Sequence, residues 1–341
     1  MSLLPSWLRL GSPTTKMDPC PCVSHDSLTI IEKADLLLDQ LADAKSQKVQ
    51  WLVRNIVGTH AELLKLPDLK PGKAINQLLG NLVSICSEIY DRDIVEKVLT
   101  NRQVLAILPS LRQICAEAES CLELHWVGHI LEGQASPSSP DSVLARLHSF
   151  PYYANYEALT RLELCTILSA TSPSDAAPCR VAFIGSGPLP LTSLCLLHAL
   201  KEDALVRGMS ATARPPVVLN IDHDPAAIAA SLKLSLALGS ASAGTKPLGQ
   251  DQHQDLAEFD VVYLAALVGM SQLEKEEIVL AVAGRMRRGA LLVVRSAWGL
   301  RTCLYPEVDL ATERLLERLE VCVVMHPYGQ VVNSVVVARV R

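Results

Sequence analysis

Val181-Ala-Phe-Ile-Gly-Ser-Gly-Pro-Leu-Pro190 decides the fold. An apolar run that stops at two glycines reads as a buried strand, Arg180–Ile184, opening into a tight turn and then a helix that reaches about Lys201. The same alternation continues outward. Strand Val217–Ile221 is followed by helix Ala226–Leu238, strand Val261–Leu264 by helix Gln272–Arg287, and strand Leu291–Val294 comes next. Strands alternating with helices predict an α/β fold with a parallel, doubly wound sheet. Two late strands, near Leu319–Met325 and Val331–Arg339, are joined by a turn over His326–Gln330 and add an antiparallel edge hairpin. A third strand is expected within Ala241–Gln254, where Pro247 restricts it to an edge or a loop.

Upstream the period changes. From Ser24 to about Ala170 apolar residues recur at helical spacing. Leu36, Leu37, Leu38 and Leu41 belong to a stripe that continues through Trp51, Leu52, Ile56, Leu63 and Leu64. Pro67 and Pro71 break it, Ile75–Ile89 resumes it, and Leu105–Leu131 forms a third stretch. The polar run Gln134–Asp141 is a loop before a short helix over Val143–Leu147, which Phe150-Pro151 ends because the residue before proline avoids the α region. A last helix covers Tyr153–Leu168. Residues 24–175 therefore read as an N-terminal helical bundle domain and 176–341 as the α/β domain, with the Ser, Pro and Ala of Thr171–Pro178 marking the boundary. Residues 1–23, with Arg9 and Lys16 and no acid before Asp18, read as a disordered leader.

Composition narrows the function. Among 341 residues, 49% are hydrophobic and 20% charged, which supplies a globular core. No apolar run reaches the roughly 18 residues that cross a bilayer, so a soluble protein with no membrane partner is expected. A net charge of −5 excludes the basic face of a nucleic-acid binder and suits a small-molecule enzyme, including one with a cationic substrate. The 10 cysteines contain no Cys-x-x-Cys; apart from the close pair Cys20-Pro-Cys22 in the leader, most sit singly in apolar surroundings, as in a reducing, cytoplasmic compartment. No metal site is expected.

Gly185 and Gly187 let a ligand approach the backbone at the C-terminal edge of the sheet, although a plain tight turn would use them too. The dinucleotide fingerprint wants a third glycine where Pro190 stands, which disfavours a nicotinamide cofactor. Asp222, at the end of the second strand, can accept both ribose hydroxyls of a nucleoside or cap the helix that starts near Pro225. With the closing strand pair, this is the pattern of an S-adenosylmethionine-dependent methyltransferase-like Rossmann domain. Gly185, Ser186, Gly187, Pro188 and Asp222 are its candidate ligand residues, with Ala265, Ala266 and Leu267 after the Val261–Leu264 strand.

Longer strings carry a more specific signal: Phe150-Pro-Tyr-Tyr-Ala-Asn-Tyr156, the glycine turn itself, Phe259-Asp-Val-Val-Tyr-Leu-Ala-Ala-Leu-Val-Gly-Met270, Val293-Val-Arg-Ser-Ala297, Leu304-Tyr-Pro306 and Val332-Asn-Ser-Val335. In this order, from roughly Ile30 to the C-terminus, they resemble the nicotianamine synthase family. The resemblance implies an enzyme that does not transfer the methyl group of S-adenosylmethionine. It joins three aminobutyrate units from three S-adenosylmethionine molecules, closes one azetidine ring to give nicotianamine, a chelator of transition metals, and releases three methylthioadenosines. No cofactor beyond S-adenosylmethionine, which is the substrate, is implied. The family's catalytic glutamate and tyrosine fall on Glu123, in Leu122-Glu-Leu-His-Trp126, and on Tyr156.

The chemistry requires such groups. A sulfonium activates all three attached carbons, so the carbon facing the nucleophile decides which bond breaks. The nucleophile is an α-amino nitrogen, largely protonated near neutral pH, and a carboxylate can take its proton while offsetting the sulfonium charge. Read without the family, Glu123 is a helical glutamate like Glu117 and Glu119, normally solvated, and His125 is a packed histidine. Arg295, directly after the Leu291–Val294 strand, can hold a substrate carboxylate with its guanidinium fork or make an ordinary strand-end ion pair. Tyr305 and Asn333 are further substrate-pocket candidates. Glu163, seven residues after Tyr156, points to the same cavity or caps neighbouring backbone. Relative to plant members Gln134–Asp141 is longer and Ala241–Gln254 shorter, with Asp251 a candidate for adenine. The alternatives are an ordinary small-molecule methyltransferase, a related aminobutyrate transferase making a different metal chelator, and a sensor or scaffold with a degenerate site. A homo-oligomer is left open.

Overall fold

The structure is a computed structural model that describes residues 25–132, 140–171, 179–206, 215–239, 243–247 and 255–341. The leader, most of Gln134–Asp141, Thr171–Pro178 beyond its first residue, and Asp251 lie outside them. The chain divides into a unit over Met1–Lys48 and a compact unit over Val49–Arg341.

Ten helices are described. They are α1 (His25–Leu63), α2 (Lys73–Ser87), α3 (Arg92–Leu99), α4 (Arg102–Leu131), α5 (Pro140–His148), α6 (Tyr153–Ala170), α7 (Leu191–Val206), α8 (Pro225–Ala237), α9 (Gln272–Ala283) and α10 (Glu313–Leu316). The strands are β1 (Arg180–Ile184), β2 (Val217–Asp222), β3 (Ala243–Pro247), β4 (Val261–Leu264), β5 (Leu291–Ser296), β6 (Leu319–Met325) and β7 (Ser334–Val340). A 3-10 turn covers Gly299–Cys303.

The sheet has the order β3-β2-β1-β4-β5-β7-β6. The first five of these strands run parallel, and β7 is antiparallel to both β5 and β6. The late strands form the expected antiparallel hairpin at the sheet edge, with β7 its inner strand beside β5 and β6 outermost. Pro247 ends the edge strand β3, where its missing N–H leaves no inner ladder bond unmade. Two boundaries move: Arg295 lies inside β5, opposite Val335, and Asn333 falls just ahead of β7.

Strand side chains alternate between two cores, as the pleat requires. Ala182, Val262, Leu264, Leu292 and Val294 pack with Val279 and Val282 of α9. Val181, Phe183, Val261, Tyr263, Leu291 and Val293 pack with Leu159 and Ile167 of α6 and Leu196 and Leu200 of α7. Both sheet faces are thus covered, which is why these strands read as continuous apolar runs. The helix α6, predicted as the last of the bundle, lies directly on the sheet.

A third core joins Leu52, Ile56 and Leu63 to α2, α3, α4 and the 3-10 turn. Buried Arg301 fastens that turn, its Nη2 donating to the carbonyls of Ser87 at 2.8 Å and Gly329 at 2.9 Å. The predicted leucine stripe is corrected here. Leu36, Leu37, Leu38 and Leu41 are 58–62% exposed, and Trp51 and Leu64 are exposed as well. Three consecutive residues span about 200° of a helix and cannot share one face. No helix among the described residues is long and apolar enough to cross a membrane.

Candidate active site

The β1 strand delivers Gly185 and Gly187 with φ of +80° and +69°, a backbone conformation that favours glycine. A Cβ on Gly187 would stand 2.5 Å from Glu123 Oε2, so the glycine turn is pressed against a carboxylate from α4. Asp222 ties this turn to β2. Its Oδ2 accepts the Gly187 N–H at 2.9 Å and its Oδ1 the Asp224 N–H at 3.0 Å. The cap of α8 is Asp224, which accepts from the Ala226 N–H at 2.8 Å, so Asp222 keeps lone pairs for a ligand in the cavity it lines.

Two cavities meet here. The first, about 630 Å³, is lined by Gly185–Ser193, Asp222–Asp224 and Ala265–Met270. The second, about 690 Å³, is more apolar and lies among α2, α4 and α6, with Leu79, Leu122, Trp126, Phe150 and Leu159 in its wall. Glu119, Glu123, Tyr156, Arg295, Tyr305 and Asn333 line both. Among the described residues, every predicted site residue except Glu163 therefore lines one cavity or both.

At the junction the polar groups are joined. Tyr156 Oη donates to Glu123 Oε1 at 3.3 Å, and the Leu189 N–H reaches Glu123 Oε2 at 3.5 Å. Tyr305 Oη donates to Glu119 Oε2 at 2.9 Å. Burial pushes the Glu123 carboxyl well above the usual range, the Glu119 charge adds to this, and the Leu189 N–H and Tyr156 hydroxyl pull it back. Burial also raises Glu119, against the hydroxyl of Tyr305 and the charge of Arg295. Tyr156 is pushed well above its ordinary value by burial and by the two carboxylates, so it stays a hydroxyl donor. A carboxylate with a raised pKa is suited to accept a proton from an amine at neutral pH. Buried carboxylates beside an open cavity also favour a cationic ligand.

Arg295 makes the ion pair that the sequence offered as the alternative to substrate binding, within β5 rather than at its end. Its Nε and Nη2 bind the Glu163 carboxylate at 2.6 and 3.2 Å, and Nη2 also donates to Thr192 Oγ1 at 2.7 Å. The bidentate fork is occupied from within, which leaves the Nη1 end for the cavity. Burial pushes Glu163 up and the guanidinium pulls it back. Burial opposes the charge on Arg295, and the Glu163 carboxylate outweighs it, holding that guanidinium charged. Glu163 is 0% exposed and stands behind Arg295, outside the walls of both cavities. His125 is exposed rather than packed and belongs to the wall of the second cavity.

The aromatic string is both core and site. Phe150 makes ring contacts with Trp126, Tyr152 and Tyr156 at 5.4, 5.8 and 6.3 Å, while the Tyr156 hydroxyl continues into the junction. Ser186 Oγ and Asn333 Nδ2 are buried with no protein partner and lie in cavity walls, groups left for a ligand to satisfy. Glu119 was missed as a site residue, and the signal was its spacing: four residues before Glu123, it shares that helix face.

Comparison with known proteins identifies the family and the fold. The family model described as nicotianamine synthase protein matches residues 44–341. Nicotianamine synthase 2 of Oryza sativa subsp. japonica is 36% identical over 301 residues, covering 87% of this chain and 85% of that protein. Probable nicotianamine synthase 2 of Hordeum vulgare is 34% identical over 303 residues, covering 88% and 83%. The fold matches the crystal structure of MtNAS in complex with MTA and tNA, with a TM-score of 0.64 at 21% identity over 86% of this chain and 97% of that one. A mutant of MtNAS in complex with S-adenosylmethionine matches with a TM-score of 0.65 at 22% identity over 84% and 97%. The chain belongs to the nicotianamine synthase family.

Proposed function

We propose that the protein condenses three S-adenosylmethionine molecules into nicotianamine, releasing three methylthioadenosines. The observation that carries this reading is the placement of Glu123. Its carboxylate lies against the glycine turn of the first cavity, holds the Tyr156 hydroxyl, and forms part of the wall of the second cavity. The first cavity takes the donor, with Asp222 on the ribose and Ala265–Leu267 along its floor. The second takes the accepting amine.

In each transfer the α-amino nitrogen attacks the aminobutyrate carbon bound to the sulfonium. The C–S bond breaks, its electron pair stays on sulfur as the neutral thioether of methylthioadenosine, and the proton leaves nitrogen for Glu123. Tyr156 orients the amine and shares in the proton transfer. Arg295, through Nη1, and Asn333, through its free amide, hold substrate carboxylates, while Tyr305 fixes Glu119 beside them. Glu163 serves through Arg295, holding its guanidinium. When the nitrogen and the activated carbon belong to one aminobutyrate unit, the same step closes a four-membered azetidine ring. A product with several carboxylates and amines along one chain binds transition metals, so metal homeostasis is the role that belongs to this reading.

The helical region 24–175 supplies the proton-handling groups in this reading, and 176–341 the donor site. A cytoplasmic location belongs to it too, supported by free thiols such as those of Cys86, Cys195 and Cys303. Chromatography of the nucleoside released from S-adenosylmethionine tests the reaction. Methylthioadenosine supports aminobutyrate transfer, and S-adenosylhomocysteine would make the protein a methyltransferase. Glu123→Gln is expected to lower turnover by about 10²–10⁴-fold while still binding S-adenosylmethionine. Unchanged turnover would remove Glu123 from proton transfer.

A further inference from the structure

Lys275 lies in the first turn of α9 and is 1% exposed. Its Nζ donates to the carbonyl of Ala266 at 2.6 Å and to that of Ala265 at 3.4 Å. Among the described residues it has no carboxylate partner. A buried ammonium without a counterion is costly, and a methionine would fill the same space without that cost. The contact is also close on the backbone side: Gly269, at φ +79°, lets the loop approach so nearly that a Cβ there would stand 3.0 Å from the Lys275 N and Cα atoms.

The two carbonyls belong to the loop that floors the first cavity. All peptide bonds described are trans, so the C=O of one residue and the N–H of the next point to opposite sides of their shared plane. With the Ala265 and Ala266 carbonyls turned in toward Lys275, the N–H groups of Ala266 and Leu267 turn out toward the cavity. Their neighbours are already engaged. The Ala265 N–H bonds to the Ile184 carbonyl at 3.0 Å and the Val268 N–H to the Ala265 carbonyl at 3.2 Å. The N–H groups of Ala266 and Leu267 have no such partner among the described residues. An ammonium on a carbonyl oxygen draws charge through the peptide and strengthens the N–H on its far side.

We infer that Lys275 is a positioning residue that turns the Ala266 and Leu267 N–H groups into a paired hydrogen-bond donor for an acceptor atom of S-adenosylmethionine, either its α-carboxylate or a ring nitrogen of its adenine. The inference rests on the reading of the first cavity as the donor site. Titration calorimetry in slightly acidic buffer tests it, with S-adenosylmethionine and methylthioadenosine as probes, on the wild type, Lys275→Met and Val279→Ala. The last variant thins the core under the same helix without touching the loop carbonyls.

Lys275→Met is expected to weaken S-adenosylmethionine about tenfold, one lost hydrogen bond's worth of affinity, while Val279→Ala binds like the wild type. An equal loss for methylthioadenosine assigns the acceptor to adenine. Unchanged methylthioadenosine binding assigns it to the carboxylate, which that nucleoside lacks. Wild-type affinity in Lys275→Met, or an equal loss in Val279→Ala, overturns the inference. A wild type that binds neither probe overturns the functional reading beneath it. The intact protein gives an independent check, because the amide resonances of Ala266 and Leu267 must shift when S-adenosylmethionine binds, and fixed resonances would also overturn the inference.

Discussion

Lys275 couples stability to pH, and replacing it with methionine should remove the coupling. Burial pulls its pKa from 10.5 to about 7. Below about 7 both folded and unfolded chains hold the proton, and the folded state bears the full cost of a buried ammonium. Between about 7 and 10.5 the unfolded chain binds the proton and the folded one does not, so stability rises with pH across that window and levels off above it. The whole span is worth roughly 5 kcal/mol at 1.36 kcal/mol per pKa unit. Between about pH 6 and pH 9 the linkage relation gives about 2.7 kcal/mol. Lys275→Met has similar length and no charge, and it leaves the Ala266 carbonyl short of a donor, a loss of about 1–3 kcal/mol at either pH. Urea unfolding of both proteins at those two pH values isolates the lysine, because every other titrating group cancels in the difference. The wild type should gain about 2.7 kcal/mol on Lys275→Met as pH rises. Parallel stability curves would refute the reasoning.

Two other substitutions test the site's construction. Gly187→Ala forces a Cβ to within 2.5 Å of Glu123 Oε2 on a backbone with φ +69°. Backbone strain of about 1–2 kcal/mol should appear in Tm, together with a fall in turnover larger than the fall in stability, since the displaced group is the carboxylate itself; full activity would contradict the observed packing. Glu163→Leu strands the Arg295 guanidinium in the interior, which should cost about 3–5 kcal/mol in a urea titration, and a loss below about 1 kcal/mol would mean that the pair contributes no more than a surface ion pair does.

The parts of the fold that were legible in the sequence are those set by local pattern. The bounds of β1, β4 and β6 follow from apolar runs ended by glycine, charge or turn residues. Which strand of the late hairpin lies inside, β7 beside β5, was not legible, because pairing order is decided by contacts far apart in sequence. The eight-residue α3 was missed because it is too short for helical periodicity to stand out beside its flanking Asp91 and Asn101. The long run of α1 was misread in its leucines because spacing alone does not say which face meets a core.

The site divides the same way. Gly185, Gly187 and Asp222 are visible as a turn and an acid at strand ends. Glu123 and Tyr156 stand out only through the family resemblance, since neither residue type nor spacing singles them out. The capture of the Arg295 fork by Glu163 links residues 132 apart and leaves no local trace. Lys275 hides in Gln272-Leu-Glu-Lys-Glu-Glu277, which reads as a solvated face until the Ala265–Met270 loop is seen to fold over it.

Mass spectrometry of the purified protein incubated with S-adenosylmethionine alone tests the central claim most directly. The account predicts a product with the mass of nicotianamine and three methylthioadenosines formed for each product molecule. A methylated product with S-adenosylhomocysteine, or an open chain with no ring, would contradict it.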